Sequence, residues 1–225
     1  AKRKLDDCDV REQSGLREAL DHKEAQIRNQ AQERIAGFEA AKAEIEAVLQ
    51  NGIDFTSANS ATEVDTQAQR LQDEVAGIRV KLSDCDEDKK DDLERRLSDR
   101  SSKINLQADS RKNQLAVDLK STLLSNIKRA PVEKLESLQA VVAALGGATS
   151  EADMRAALKA ALSSEPGSAL LGSAVLENVD VLTLSDFAEL KTAANQQIAE
   201  NSIISGLRTV IDYSACNGSD DVDAA

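Results

Sequence analysis

Large apolar residues recur through the first half of the chain at a step of eleven. Starting from Leu5, the step lands on Leu16, Ile27, Phe38, Leu49, Ser60, Leu71, Leu82, Leu93, Ile104, Leu115 and Asn126, and ten of these twelve positions are apolar. Eleven residues close three helical turns at about 3.67 residues per turn, so side chains at this spacing stay on one face with a slight right-handed drift. A second row, four residues further on, widens the stripe with Leu20, Ala31, Leu97, Ala108 and Leu119. The pattern predicts long, coiled-coil-like helices that meet their partners through Leu16, Ile27, Phe38, Leu49, Leu71, Leu82, Leu93, Ile104 and Leu115.

The stripe lapses at Ser60, inside QNGIDFTSANS (Gln50 to Ser60), where Asn-Gly and several small polar residues signal a turn. Ser60-Ala-Thr-Glu63 has the form of a capping box, and Asp9-Val-Arg-Glu12 resembles another. Residues 1–129 therefore read as an antiparallel helical hairpin, with helices over about 9–49 and 61–129 and a turn over 50–60. Forty residues of helix would span about 60 Å. The polar stretch SDCDEDKKDD, Ser83 to Asp92, is expected to continue the second helix as a solvated face; a short break with a second helix start at Asp-Cys-Asp is the alternative.

Beyond Ala130-Pro131 the pattern shortens. A helix is expected over about 132–145, with Leu135, Leu138, Val142 and Leu145 on one face and Gly146-Gly147 ending it. Ser150-Glu-Ala-Asp153 opens another, to about Leu162, and Ser164-Glu-Pro-Gly-Ser168 is a turn. A short apolar segment, Ala169 to Leu176, then leads to Ser185, which is placed to cap a last helix through Phe187, Leu190, Ile198, Leu207 and Ile211. Residues 130–215 are thus expected to form a small α-helical domain, and residues 216–225 have the composition of an acidic tail.

One phrase occurs twice. Leu5–Arg34 aligns without a gap on Leu82–Arg111, and ten of thirty positions match, including Asp7-Cys8-Asp9 on Asp84-Cys85-Asp86. The offset of 77 is seven elevens, so the copies stay in phase with the stripe. Periodicity alone would align the leucines but not Asp-Cys-Asp, which points to an internal duplication.

Composition narrows the fold and the function. Aromatic residues make up 2% of the chain, with no Trp, and there are two prolines in 225 residues. Ala and Leu suit narrow helix–helix seams and favour helix, so the chain is expected to be all-α. Residues 1–129 hold 26 acidic and 23 basic side chains, against 14 and 5 in residues 130–225, so the first part reads as exposed, ion-paired helix. A net charge of −12 argues against a nucleic-acid partner and against adsorption to anionic membranes. No apolar run approaches the roughly 20 residues needed to span a bilayer.

Chemistry is sparse. Asp84, Asp86 and Asp88 have the spacing that opens a calcium loop, but Lys89 stands where the loop needs glycine and Arg95 where it needs a bidentate glutamate. Cys8 and Cys85 are each flanked by aspartates, which oppose thiolate formation, and His22, the single histidine, lies in a charged helical run. No Ser-His-Asp grouping, phosphate loop or metalloprotease motif is present, so no catalytic residue, cofactor or metal is expected. Cys8, Cys85 and Cys216 remain as candidate tethers between chains, because an odd number leaves at least one thiol to pair outside the molecule or not at all.

The expectation is a non-catalytic structural or assembly protein with protein partners, packing with itself or within a larger complex. A linker or adaptor that bridges subunits of a large complex, an organellar one included, is the alternative, and a secreted helical effector acting at membranes is a third. The chain begins at Ala1 and its single methionine is Met154, which suits processing from a precursor or trimming. The cysteine-headed, charged helical segments over about residues 5–50 and 82–115 resemble the acidic coiled-coil matrix proteins that protists pack into secretory granules and cut from precursors. That resemblance rests on a low-complexity pattern and implies self-assembly and processing.

Overall fold

A computed structural model describes residues 10–210. Leu5, Cys8, the Asp9 start signal, Ile211, Cys216 and the expected acidic tail lie outside the described residues. The described chain is all-helical, without strands: α1 (Val10–Gln50), α2 (Ala61–Arg79), α3 (Glu87–Lys128), α4 (Leu135–Gly147), α5 (Glu151–Ser163), α6 (Ser168–Leu171) and α7 (Leu184–Val210), with short 3-10 turns at Val80–Asp84, Val132–Lys134 and Leu176–Val181.

The second long helix is not continuous. The expected helix over 61–129 is interrupted after Arg79 by the 3-10 turn, and Cys85 is extended (φ −88°, ψ 161°) before α3 starts. Polar SDCDEDKKDD is therefore a break followed by a helix start. Ser83 Oγ donates to the Val80 carbonyl at 2.9 Å, a local bond that competes with helix continuation. The buried Cys85 side chain supplies the apolar contact in this polar stretch.

The helix starts have local causes. Ser60 Oγ accepts from Glu63 N at 3.2 Å, while the Glu63 carboxylate accepts from Asn59 N at 2.6 Å, a capping box whose return bond falls one residue early. Ser150 Oγ accepts from Asp153 N at 3.1 Å and opens α5. The cap of α7 is Thr183, not Ser185: Thr183 N donates to the Asp186 carboxylate at 2.9 Å and Asp186 N to Thr183 Oγ1 at 3.4 Å. Reciprocity decides between them, because Thr183 has an acid three residues on.

The described residues up to Ile53, with Gln69–Asn105, make one compact unit. Its buried side chains are Ala41 and Ile45 of α1, Leu71 and Val75 of α2, Cys85, and Leu93, Leu97 and Ile104 of α3. Arg79 pairs with Glu94 at 3.1 Å, and the Gln72 amide reaches Ser101 O and Asn105 Oδ1 at 2.9 Å each, so α2 and α3 run antiparallel in this unit. Glu44 meets Lys81 at 3.3 Å, Glu46 meets Arg96 at 3.6 Å, and Asn51 donates to Glu74 at 2.9 Å. These pairs lay the last turns of α1 beside both helices.

Asp54–Ala68, with the described residues from Leu106 onward, make a second unit. Its core joins Leu119, Leu123 and Ile127 of α3 to Leu138, Val141 and Leu145 of α4, Leu158 and Leu162 of α5, Leu170 of α6, and Phe187 and Leu190 of α7. The chain thus divides inside its long helices and not after Arg129, because the end of α3 is needed to complete this core. Gly167 allows the tight passage into α6: a Cβ there would lie 1.8 Å from the Ala161 carbonyl oxygen.

Buried polar side chains tie loops to this core. Asn178 donates through Nδ2 to Asn59 O and accepts at Oδ1 from Ala61 N, each at 3.0 Å, satisfying two backbone groups at the start of α2. Asn201 Nδ2 donates to Ala130 O at 3.1 Å and Pro131 O at 3.2 Å. Lys120 bridges Asp186 at 2.9 Å and Glu189 at 3.1 Å. Burial works against ionisation of Asp186, but the bonds from Thr183 and Lys120 outweigh it and hold the carboxyl below its usual range.

Two outcomes follow for stability. Asn178→Ala leaves the buried Ala61 N–H and the part-buried Asn59 carbonyl without their partner and should cost about 1–3 kcal/mol in urea unfolding. Asp186 ionises more readily folded than unfolded, so its contribution is present above the ordinary carboxylate pKa and is lost as pH falls through the lower folded value. Asp186→Asn should therefore melt below wild type at neutral pH, and the two melting curves should converge in acid.

Candidate interaction surface

The eleven-residue stripe divides into a buried and an open part. On α3, Leu93, Ile104 and Leu115 are buried, as are Leu97, Ala108 and Leu119 of the neighbouring row, so both rows face the cores of their units. Leu71 is buried on α2, and Leu82 and Leu49 are half-buried at the 3-10 turn and the end of α1. On the rest of α1 the same face is open: Leu16 is 41% exposed and Ile27 64%, with Phe38 half-buried where packing begins. At about 100° per residue, Leu16, Leu20, Ile27, Ala31, Phe38 and Ile45 fall within a sector of roughly 60°. Ile45 is fully buried, so one apolar face enters the first unit at its C-terminal end and continues outward without a partner.

Ile35, beside the stripe, is exposed as well. Polar flanks hold the open part of α1 in helix: Glu24 pairs with Arg28 at 2.8 Å, Lys23 donates to Gln26 at 3.0 Å, and the Arg34 guanidinium lies 5.3 Å from the Phe38 ring centre. His22 shares a 3.0 Å hydrogen bond with Gln26 on the same surface. A second exposed apolar group lies on the other unit, where the last turns of α7 present Ile203, Ile204 and Leu207. Phe187 and Leu190 are buried at the start of that helix, whereas Leu207 is open.

Of the three cysteines, only Cys85 is described. It is 3% exposed, and its Sγ lies 3.5 Å from the Lys81 carbonyl. Burial first, and then the charge of Asp84, push its thiol pKa up against a smaller opposing effect of Lys90. A buried, protonated thiol is not presented to a second chain, which removes Cys85 from the candidate tethers in the folded state. Among the described residues, no three His, Cys, Asp or Glu side chains are grouped to hold a metal ion.

Residues that the apolar pattern passes over sit on the buried side of α3. Arg100 and Arg111 are eleven residues apart and occupy one phase of the repeat, between Leu97 and Ile104 and between Ala108 and Leu115. Arg100 Nη1 donates to Asn51 O at 2.7 Å; Arg111 donates to Ala58 O through Nε at 3.1 Å and Nη2 at 2.7 Å. Both arginines thus hold carbonyls of the segment between α1 and α2. Their signal in the sequence is a charged residue that falls, at about 100° per residue, within the angular sector of the apolar rows of α3.

The fold and surface define an all-helical protein with an open apolar helix face, and no helix among the described residues is long and apolar enough to cross a membrane. No protein family, curated protein or solved structure matches the chain.

The burial of Cys85 sets a reactivity. In a Cys8→Ser, Cys216→Ser background, Cys85 should react with a thiol reagent about a hundredfold or more slowly in native buffer than in denaturant, since labelling must wait for the turn to open. Equal rates would show that the turn is open in solution.

Proposed function

We propose that this is a non-catalytic structural or assembly protein, a helical scaffold subunit that docks through the open face of α1, with a second copy of the chain as the occupant. The observation that carries this reading is the exposure of Leu16 and Ile27 on a face that closes at Ile45. An eleven-residue stripe is matched best by a helix of the same period, because only then do the two faces stay in register along their length, and α1 of another copy has that period. We read α1, α2 and α3 as a charged helical array of coiled-coil character in which α2 and α3 form the antiparallel pair, and the chain beyond as a small helical domain that shares the end of α3. The ion-paired surface and the absence of recognisable site motifs support a role in packing over one in catalysis.

A linker that bridges two different partners is the second reading. It is favoured by the second exposed apolar group, Ile203, Ile204 and Leu207, on the other unit. The readings separate in the ultracentrifuge. Self-assembly gives a mass that rises with concentration, and the double variant Leu16→Glu, Ile27→Glu lowers it to that of one chain while leaving the urea midpoint of each unit unchanged. A wild-type chain that stays monomeric throughout the concentration series overturns self-assembly. A variant at Ile203 and Leu207 that alone abolishes association moves the docking surface to α7.

A further inference from the structure

The first unit contains a basic cleft that its interaction surface does not use. Leu49 and Ile53, from the end of α1 and the segment after it, face Arg96, Asp99, Arg100 and Lys103 of α3 across a cavity of about 180 Å³. Arg96, Arg100 and Lys103 stand at i, i+4 and i+7 and share one side of the helix.

Arg100 is only 5% exposed, yet just one of its three guanidinium nitrogens is engaged: Nη1 donates to Asn51 O, whereas Nε and Nη2 are buried and have no hydrogen-bond partner. A buried guanidinium with unmet N–H groups is costly, since it surrenders hydration without replacing it. The free edge is also chemically specific. Nε and Nη2 form the fork that takes two oxygens of a carboxylate or phosphate in parallel bonds. Arg111, in the same phase of the repeat, spends that edge on the Ala58 carbonyl.

The surrounding charges fit a multiply charged anion. Lys103 is exposed at the rim. Arg96 is engaged only loosely, 3.6 Å from Glu46 and 3.9 Å from Asp92. Asp99 is the one acid in the lining, and as the immediate neighbour of Arg100 on the helix it projects about 100° away from it.

We propose that this cleft binds a phosphate-type oxyanion, with the Arg100 Nε–Nη2 edge as the fork and Lys103 and Arg96 as flanking cations. Occupancy joins α3 to the end of α1, so the anion stabilises the first unit. Three cations around one ligand select a tetrahedral dianion over a monovalent carboxylate.

The test is thermal unfolding of the full chain in inorganic phosphate, sulfate, acetate or chloride at matched ionic strength, with phosphate affinity measured by calorimetry. Phosphate and sulfate should raise the melting temperature by several degrees more than chloride, and acetate should not. Lys103→Gln, a rim substitution that leaves the fold intact, should weaken phosphate binding severalfold. Arg100→Lys, which keeps the charge but loses the fork, should weaken it roughly tenfold or more, as expected for loss of a charge-assisted bidentate pair. The proposal is overturned if phosphate does no more than chloride, if acetate matches phosphate, or if Lys103→Gln binds phosphate like wild type. None of these results depends on self-association, because the Leu16→Glu, Ile27→Glu variant serves equally well as host.

Discussion

The apolar seam of α3 is the constraint on which the rest of the structure depends. Its two rows, Leu93–Ile104–Leu115 and Leu97–Ala108–Leu119, follow the eleven-residue spacing along the helix, and α3 supplies buried side chains to each unit. A strict seven-residue repeat on a straight helix would drift by about 20° every seven residues, against about 20° the other way every eleven, so the longer step keeps its side chains on the core face for more of the helix. The same seam explains why residue 129 is no boundary. Leu119, Leu123 and Ile127 belong to the core built by α4, α5 and α7, so the helix cannot be cut from the domain that follows it.

The phase between Leu97 and Ile104, and again between Ala108 and Leu115, carries arginine where an apolar residue would pack more simply. Each guanidinium reaches a carbonyl in the segment joining α1 to α2, and that segment has few apolar side chains of its own, with Phe55 and Ala58 buried among polar neighbours. Where the connection turns inward at Phe55 and Ala58, its backbone carbonyls need donors. A long side chain rooted in the seam can supply them without a further element of structure. Arg111 meets this need with the same edge that Arg100 leaves unpaired, so the two positions are structurally parallel but chemically distinct.

Much of the helical architecture was legible from the apolar spacing and the caps. Ser60 and Ser150 open helices because each has an acid three residues later, and the same rule, applied strictly, would have preferred Thr183 with Asp186 to Ser185. The break at Val80–Asp84 was ambiguous because charged residues suit both a solvated face and a turn. The duplicated Asp-Cys-Asp held the clue: α3 begins two residues after Cys85, and Val10, already helical, stands two residues after Cys8. What the spacing could not reveal is which stretches of one stripe are covered. Leu16 and Ile104 are equivalent in pattern, but only Ile104 is buried, and that depends on where the chain turns.

The open length of α1 has energetic consequences of its own. Most helical stability in proteins comes from packing along an apolar face and not from propensity. Residues such as Glu24, Arg28, Lys23 and Gln26 contribute only about 0.2–0.5 kcal/mol per pair. Burying a side chain such as Leu or Ile is worth roughly 1.5–3 kcal/mol, and each copy offers Leu16, Leu20, Ile27 and Ile35, which are already partly covered. Two such faces together contribute on the order of 10 kcal/mol by that measure, comparable with the roughly 4–15 kcal/mol that association costs in lost freedom. A pair of α1 faces alone is therefore poised near balance. In the proposed self-assembly such an interface would form and release reversibly, and lasting association would require several of these contacts at once.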